Sequence, residues 1–176
     1  MNTLKNKKLF LLDMDGTIYL DDDLFDGTLD FLEYVKKIGG RYIFLTNNSS
    51  KSVSAYIQKL AGLGIAAERD DFITSLQATA YYLHKYHEGQ RLYVCGTQSL
   101  KDELMQEGFA LTQDREKAQC IVMGFDTELT FQKLEDISCL LLTRMDIPYI
   151  ATNPDLVCPT EFGSVPDCGS VCMMLK

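Results

Sequence analysis

Histidine is nearly missing from this chain: His84 and His87 are the only two in 176 residues. Both fall near the end of a predicted helix, where they read as surface residues rather than catalysts. Basic residues are in deficit, 17 Lys and Arg against 25 Asp and Glu, for a formal net charge of -8. With no basic run and no aromatic residues interleaved among cations, the chain lacks the electrostatic footprint of a nucleic-acid binder. No apolar run approaches the roughly 20 residues that span a bilayer, so no membrane partner is expected. A signal peptide is missing too, because the Lys5 to Lys8 cluster precedes only four apolar residues, too few for a signal core. The six cysteines are scattered, and no paired Cys/His set accompanies them, which argues against zinc. Cys168 and Cys172 can share a helix face. Without an export signal, the thiols read as reduced and mostly buried, in a cytoplasmic protein.

What is present is a globular composition, 46% hydrophobic and 24% charged, at a length sufficient for one ordinary domain or two small ones. The chain is organised around Leu9-Phe10-Leu11-Leu12-Asp13-Met14-Asp15-Gly16-Thr17. Four apolar residues run without alternation into two acids. Such a run predicts a strand buried on both faces, as in a parallel sheet covered by helices. In open α/β sheets ligands bind just beyond the carboxyl ends of the strands, which is where Asp13 and Asp15 fall. Two residues apart on an extended chain, their carboxylates point the same way. Like charges this close need compensation, and Mg²⁺, a hard cation that takes oxygen ligands and keeps several waters, would supply it. A solvated strand end with an Asp-Gly turn is the plainer alternative; the apolar run in front of it weighs against that.

The remaining pattern alternates strand and helix. Asp26 or Thr28 can cap a helix with Leu29, Leu32, Val35 and Ile38 inward, closed by Gly39-Gly40. Tyr42-Ile43-Phe44-Leu45 predicts a second buried strand running into Thr46-Asn47-Asn48-Ser49-Ser50. Val53, Ile57 and Leu60 line a helix that stops at Gly62 or Gly64. A second unit starts near Thr74-Ser75, with Ser75 as a helix cap. Strands follow at Leu92 to Cys95, Cys120 to Met123 and Tyr149 to Ala151, with helices between them. Thr130 caps the longest, and Gly169-Ser170 opens another. Parallel-sheet logic follows, and two α/β units are expected, residues 1–74 and 75–176.

Hydroxyls and amides gather at Thr46-Asn47-Asn48, ahead of a helix whose N-terminus favours anions. Asn and Ser also suit an ordinary turn and cap, so this signal gains weight only beside the paired acids. An attacking carboxylate and an anion cradle suggest phosphoryl transfer, with the second acid moving the proton. Asn153-Pro154-Asp155 is a third polar strand end, either a plain turn or a loop that meets the substrate's leaving group.

In this order the motifs resemble the haloacid dehalogenase superfamily of phosphohydrolases. Asp13-Met14-Asp15-Gly16-Thr17 is similar to its first motif and Thr46-Asn47 to its second. Ile18-Tyr19, Thr46-Asn47-Asn48-Ser49 and Asn153-Pro154-Asp155 resemble its sugar-phosphatase and 4-nitrophenylphosphatase branch. That resemblance implies an α/β fold made of the first part of a doubly wound core and an inserted α/β cap. It implies Asp13 as nucleophile and Mg²⁺ ligand, and Asp15 as general acid/base that also serves the metal. Thr46, Asn47 and Asn48 would bind phosphate, and Asn153, Pro154 and Asp155 would form the cap's substrate loop. The expected substrate is a small phosphorylated metabolite. The third-motif lysine and fourth-motif acids have no counterpart before Lys176. Read as a truncation, this leaves open a non-catalytic phosphate-binding fragment, a phosphotransferase, a homo-oligomer, or complementation by a further carboxyl-terminal segment. The 176-residue chain is accordingly expected to be marginally stable, to bind Mg²⁺ weakly and to turn over little substrate.

Overall fold

The structure, a computed structural model, describes residues 6–176; Lys5 of the amino-terminal basic cluster lies outside them. The chain divides into two compact units. Of the described residues, the first holds 6–46, Val53–Thr74 and Pro159–Gly163; the second holds Asn47–Ser52, Ser75–Cys158 and Ser164–Lys176.

In the first unit β1 (Leu9–Asp13), β4 (Arg41–Thr46) and β5 (Phe72–Thr74) form a parallel sheet in the order β1-β4-β5. Between β1 and β4 lie a two-residue hairpin pair, β2 (Tyr19–Leu20) and β3 (Asp23–Leu24), and α1 (Thr28–Lys37). Helix α2 (Val53–Gly62) leads towards β5. One face of the sheet is packed. Phe10 and Leu12 of β1, Tyr42 and Phe44 of β4 and Phe72 of β5 meet Leu32 and Val35 of α1 and Tyr56 and Leu60 of α2.

The other face corrects the expectation for β1. Leu9 is 58% and Leu11 57% exposed, and Ile73 across the sheet is 52% exposed. Among the described residues, then, β1 is an edge strand with one covered face rather than a strand buried on both. Both crossover helices contribute to the core on the same side, and among the described residues no element covers the other side of β1. An unbroken apolar run records that both faces are apolar; it does not record that both are covered. By contrast Tyr42, Ile43 and Phe44 of the central strand are buried.

Helix starts depart from the sequence reading in two places. Gly27, in the left-handed region at φ 82°, is the N-cap of α1, and no side chain caps it. Thr28 is already helical, and its hydroxyl donates 3.2 Å to the Ile18 carbonyl, which ties α1 to the loop after β1. Likewise Ser75 lies inside α3 (Ser75–Tyr86), and its hydroxyl donates to the Asn47 carbonyl at 2.8 Å.

The second unit is a three-layer sandwich. Strands β6 (Leu92–Cys95), β7 (Cys120–Met123) and β8 (Tyr149–Ala151) pair in parallel, in that order. Alternation decides which face each residue serves. Leu92, Val94, Cys120 and Val122 pack on α3 and α4 (Gln98–Gln106), while Cys95, Ile121 and Met123 pack on α5 (Phe131–Thr143) and α6 (Cys168–Met174). Thr130 caps α5, accepting from the Lys133 N–H at 3.3 Å. Strands β9 (Val157–Thr160) and β10 (Gly163–Pro166) form a hairpin.

The one-sided burial of the first sheet predicts unequal costs. Phe44→Ala empties a fully buried site and should cost about 3–5 kcal/mol, or leave the unit unfolded. Leu11→Ala, on the open face, should cost less than about 1 kcal/mol. Urea unfolding of the two variants measures both, and equal costs would show that the Leu11 face is covered in solution.

Candidate active site at the end of β1

The loop after β1 is wound tightly around one carbonyl. Met14 O accepts from Thr17 N at 3.1 Å and Ile18 N at 2.9 Å, and Gly16 N donates to Tyr19 O at 2.8 Å. Gly16 sits at φ 81°, where a side chain would be strained. This turn sends Met14, Ile18 and Tyr19 into the core and leaves Asp13, Gly16 and Thr17 exposed, with Asp15 half-buried. Burial of one set of side chains therefore forces the presentation of the other.

Asp13 ends β1 opposite Leu45, so it stands beside the last residues of β4, and Thr46 closes that strand. The Thr17 hydroxyl donates 3.0 Å to Asp13 Oδ2. That bond engages one oxygen of the exposed Asp13 carboxylate. Tyr19 is buried beside this pair, with the Lys59 ammonium 3.8 Å from its ring centre. Burial, and after it the Asp15 charge, pushes the Tyr19 phenol far above its ordinary value. It is a neutral wall at any physiological pH.

A segment unmarked in the sequence reading joins this unit. Pro159–Gly163, the turn of the β9–β10 hairpin, belongs to it. A Cβ on Gly16 would lie 3.8 Å from Pro159, and the Glu161 N–H donates 2.8 Å to Asp21 Oδ2. Asp21 adopts φ 48°, the one non-glycine residue at positive φ among those described. Asp21 thus holds the hairpin turn through its bond to Glu161. The only advance signal was Gly163, a turn residue between two short β-prone runs.

The other candidates lie in the second unit. The Asn47 amide donates to Asp155 Oδ2. Asn153 is buried; its amide reaches the Asn47 carbonyl at 2.9 Å and Asp167 Oδ1 at 3.3 Å, and its Oδ1 accepts from Asp155 N at 3.0 Å. Asn48 Oδ1 accepts from Ser50 N at 3.0 Å and Ser50 Oγ at 2.7 Å, an Asx turn. Ser49 bonds Thr152 Oγ1 at 2.7 Å and the Phe125 N–H at 2.8 Å. Pro154 packs so closely on Gly169 that a Cβ there would collide with its carbonyl. Asn47, Asn48, Asn153, Pro154 and Asp155 thus form one ordered cluster around residues 47–52.

The donors at the end of β1 suit Mg²⁺. The Asp13 carboxylate is a hard oxygen ligand and Asp15 can add its backbone carbonyl oxygen, and a Mg²⁺ ion is commonly held by one or two carboxylates together with substrate phosphate and waters. Among the described residues no group of three or more His, Cys, Asp or Glu side chains gathers as a metal site.

Against known proteins, residues 10–110 match the model of the haloacid dehalogenase-like hydrolases. The chain belongs to that family. An acid sugar phosphatase of Staphylococcus aureus is 33% identical over 168 residues, 96% of this chain and 64% of its own length. The crystal structure of a 4-nitrophenylphosphatase from Thermotoga maritima superposes with a TM-score of 0.88 at 40% identity, over 98% of this chain and 64% of that one. A glycerol phosphate phosphatase from Mycobacterium tuberculosis, solved in complex with magnesium, superposes with a TM-score of 0.87 at 28% identity, over 99% and 53%. The chain thus spans under two thirds of each of these relatives. Its α/β fold, with parallel sheets and helical layers, is that of the family's phosphatases.

The hydrogen bonds of Asn153 predict its sensitivity. Asn153→Ala removes three of them and strands buried partners, at about 2–4 kcal/mol, taking roughly 1 kcal/mol for each bond. Thermal unfolding of the whole chain measures this; a loss below about 1 kcal/mol would mean the cluster is loosely held.

Proposed function

We propose that this chain carries the phosphoryl-transfer centre of a phosphatase acting on small phosphate monoesters, sugar phosphates or similar metabolites. The observation that carries the reading is the Asp13 carboxylate at the end of a parallel strand, fixed through one oxygen by Thr17 and followed two residues on by Asp15. The family supports it, as do the phosphatase names of the relatives.

In this reading Asp13 Oδ1 attacks the phosphorus and the ester P–O bond breaks. Asp15 gives its proton to the leaving oxygen, so the alcohol departs neutral. Asp13 now bears the phosphoryl group as an aspartyl-phosphate. Asp15 takes a proton from water as the water oxygen attacks phosphorus; the bond to Asp13 breaks, and inorganic phosphate leaves. Asp13 and Asp15 would hold Mg²⁺, which when bound neutralises charge between the carboxylate and the phosphoryl oxygens. Thr46 and Asn47 are the proposed phosphate ligands, with Asn48 beside them in sequence. Asp155 and Asn153 serve by holding Asn47 through its amide and its carbonyl, and Pro154 shapes that loop. The Pro159–Gly163 turn, held to Asp21, is a further surface for the leaving group.

Hydrolysis of a chromogenic phosphate ester by a version of the protein completed to the length of its relatives, titrated with Mg²⁺, tests the reading. Turnover should require the metal and fall at least about 10³-fold in Asp13→Asn, which lacks the nucleophilic anion. Thr17→Val should retain metal dependence and lose roughly tenfold, about the worth of one hydrogen bond to a charged group. Turnover that survives in a folded Asp13→Asn variant would contradict the assignment. Phosphate binding without metal-dependent turnover of any ester would reduce the chain to a phosphate-binding module.

A further inference from the structure

We propose that Cys172 and Cys168 form a peroxide-oxidisable dithiol, a modification site in the second unit that closes reversibly to a disulfide within α6. Four residues apart, they place their sulfurs 4.0 Å from each other. Cys172 is half-buried, and the Tyr149 hydroxyl donates to its sulfur at 3.1 Å. Cys168 is buried, 3.4 Å from the Met123 carbonyl and 3.9 Å from Thr152 Oγ1. Cys172 is the less buried of the two and its sulfur meets two hydrogen-bond donors; Cys168 beside it is fully buried. Reactive sensor cysteines combine these features, an accessible thiolate next to a resolving thiol.

The remaining cysteines supply the contrast. Burial pushes the Cys95 and Cys120 thiols up to about 11, which leaves them inert. Donation from Cys168 and from Tyr149 holds Cys172 below the ordinary thiol range despite its partial burial. Tyr149 itself stays a protonated donor, because burial and the neighbouring sulfurs raise it.

The chemistry balances with hydrogen peroxide as oxidant. The Cys172 thiolate attacks one peroxide oxygen, the O–O bond breaks, and the second oxygen leaves as hydroxide, which takes up a proton to become water. Cys172 is now a sulfenic acid. The Cys168 sulfur attacks it, the S–O bond breaks, and a second water leaves with the Cys168 proton. Two thiols and one peroxide give one disulfide and two waters. Helical spacing puts the two Cα atoms about 6 Å apart, inside the range a disulfide spans, although their Cβ atoms start farther apart than a disulfide holds them. Helix α6 is only seven residues long and must tighten locally. A bond closed in this way is readily reduced again.

Its consequence stays within the second unit. Cys168 follows Asp167, which accepts from Asn153, while Thr152 bonds Ser49. Movement of the first turn of α6 reaches the cluster around residues 47–52 in one or two hydrogen bonds.

Peroxide treatment of the intact chain, followed by peptide mapping, tests the proposal. The peptide holding both residues should lose two hydrogens in mass and recover them with a thiol reductant. In Cys168→Ser, a 1,3-diketone probe should trap a sulfenic acid at Cys172. On the unaltered protein at pH 6, iodoacetamide should label Cys172 on the order of tenfold faster than half-buried Cys139, the gain in thiolate being partly offset by lower nucleophilicity. Equal labelling of Cys172 and Cys139, or oxidation that bypasses the Cys168–Cys172 peptide, would overturn it.

Discussion

Parallel pairing of β1 with β4, from Leu9 opposite Arg41 to Asp13 opposite Leu45, is the constraint on which the site depends. The hydrogen-bond ladder sets the register, and the register sets where β1 runs out. Met14, Ile18 and Tyr19 then enter the core and Met14 O closes the turn, so Asp13 and Thr17 face outward with Asp15 half-buried between them. Hydrophobic burial thereby provides the force that fixes the turn carrying both acids. Both acids are carried by backbone geometry on a strand and a tight turn rather than by a flexible loop, which suits the positional accuracy that the proposed phosphoryl transfer would demand.

Much of this is legible in sequence because the signals are local. An apolar run, two acids and a glycine define the strand, its end and the turn. The central strand Tyr42 to Leu45, the helix that stops at Gly62 and the Thr130 cap are legible for the same reason, since each rests on residues within a turn or two of one another. Coverage is not local. Leu9 and Leu11 are as apolar as Tyr42 and Phe44, and only the placement of α1 and α2 on the same side of the sheet distinguishes an edge strand with an open face from a central one. Three-residue β5 carries too few side chains to show a period. The Gly27 cap of α1 replaces the expected Asp26 or Thr28 because the Thr28 hydroxyl is engaged with Ile18 O.

The candidate site divides along the same line. Asp13 and Asp15 declare themselves by type and spacing. Asn47, Asn153 and Asp155 are also visible as polar strand ends. Their mutual hydrogen bonds join residues about a hundred positions apart, which no spacing rule reveals. The hold of Asp21 on Glu161 is similarly remote. Cys168 and Cys172 are an intermediate case. Their helical spacing is legible, whereas the Tyr149 hydroxyl that meets Cys172 comes from another strand and needs the fold.

The account rests on Asp13 taking the phosphoryl group covalently. Acid-quenching a version of the protein completed to the length of its relatives, during reaction with a phosphate monoester and Mg²⁺, then locating the phosphoryl group by mass spectrometry, tests that most directly. The account predicts a base-labile acyl phosphate on Asp13, absent when Asp13→Asn is treated identically. A phosphorylated residue elsewhere, or ester hydrolysis with no covalent species on Asp13 at any quench time, would contradict it.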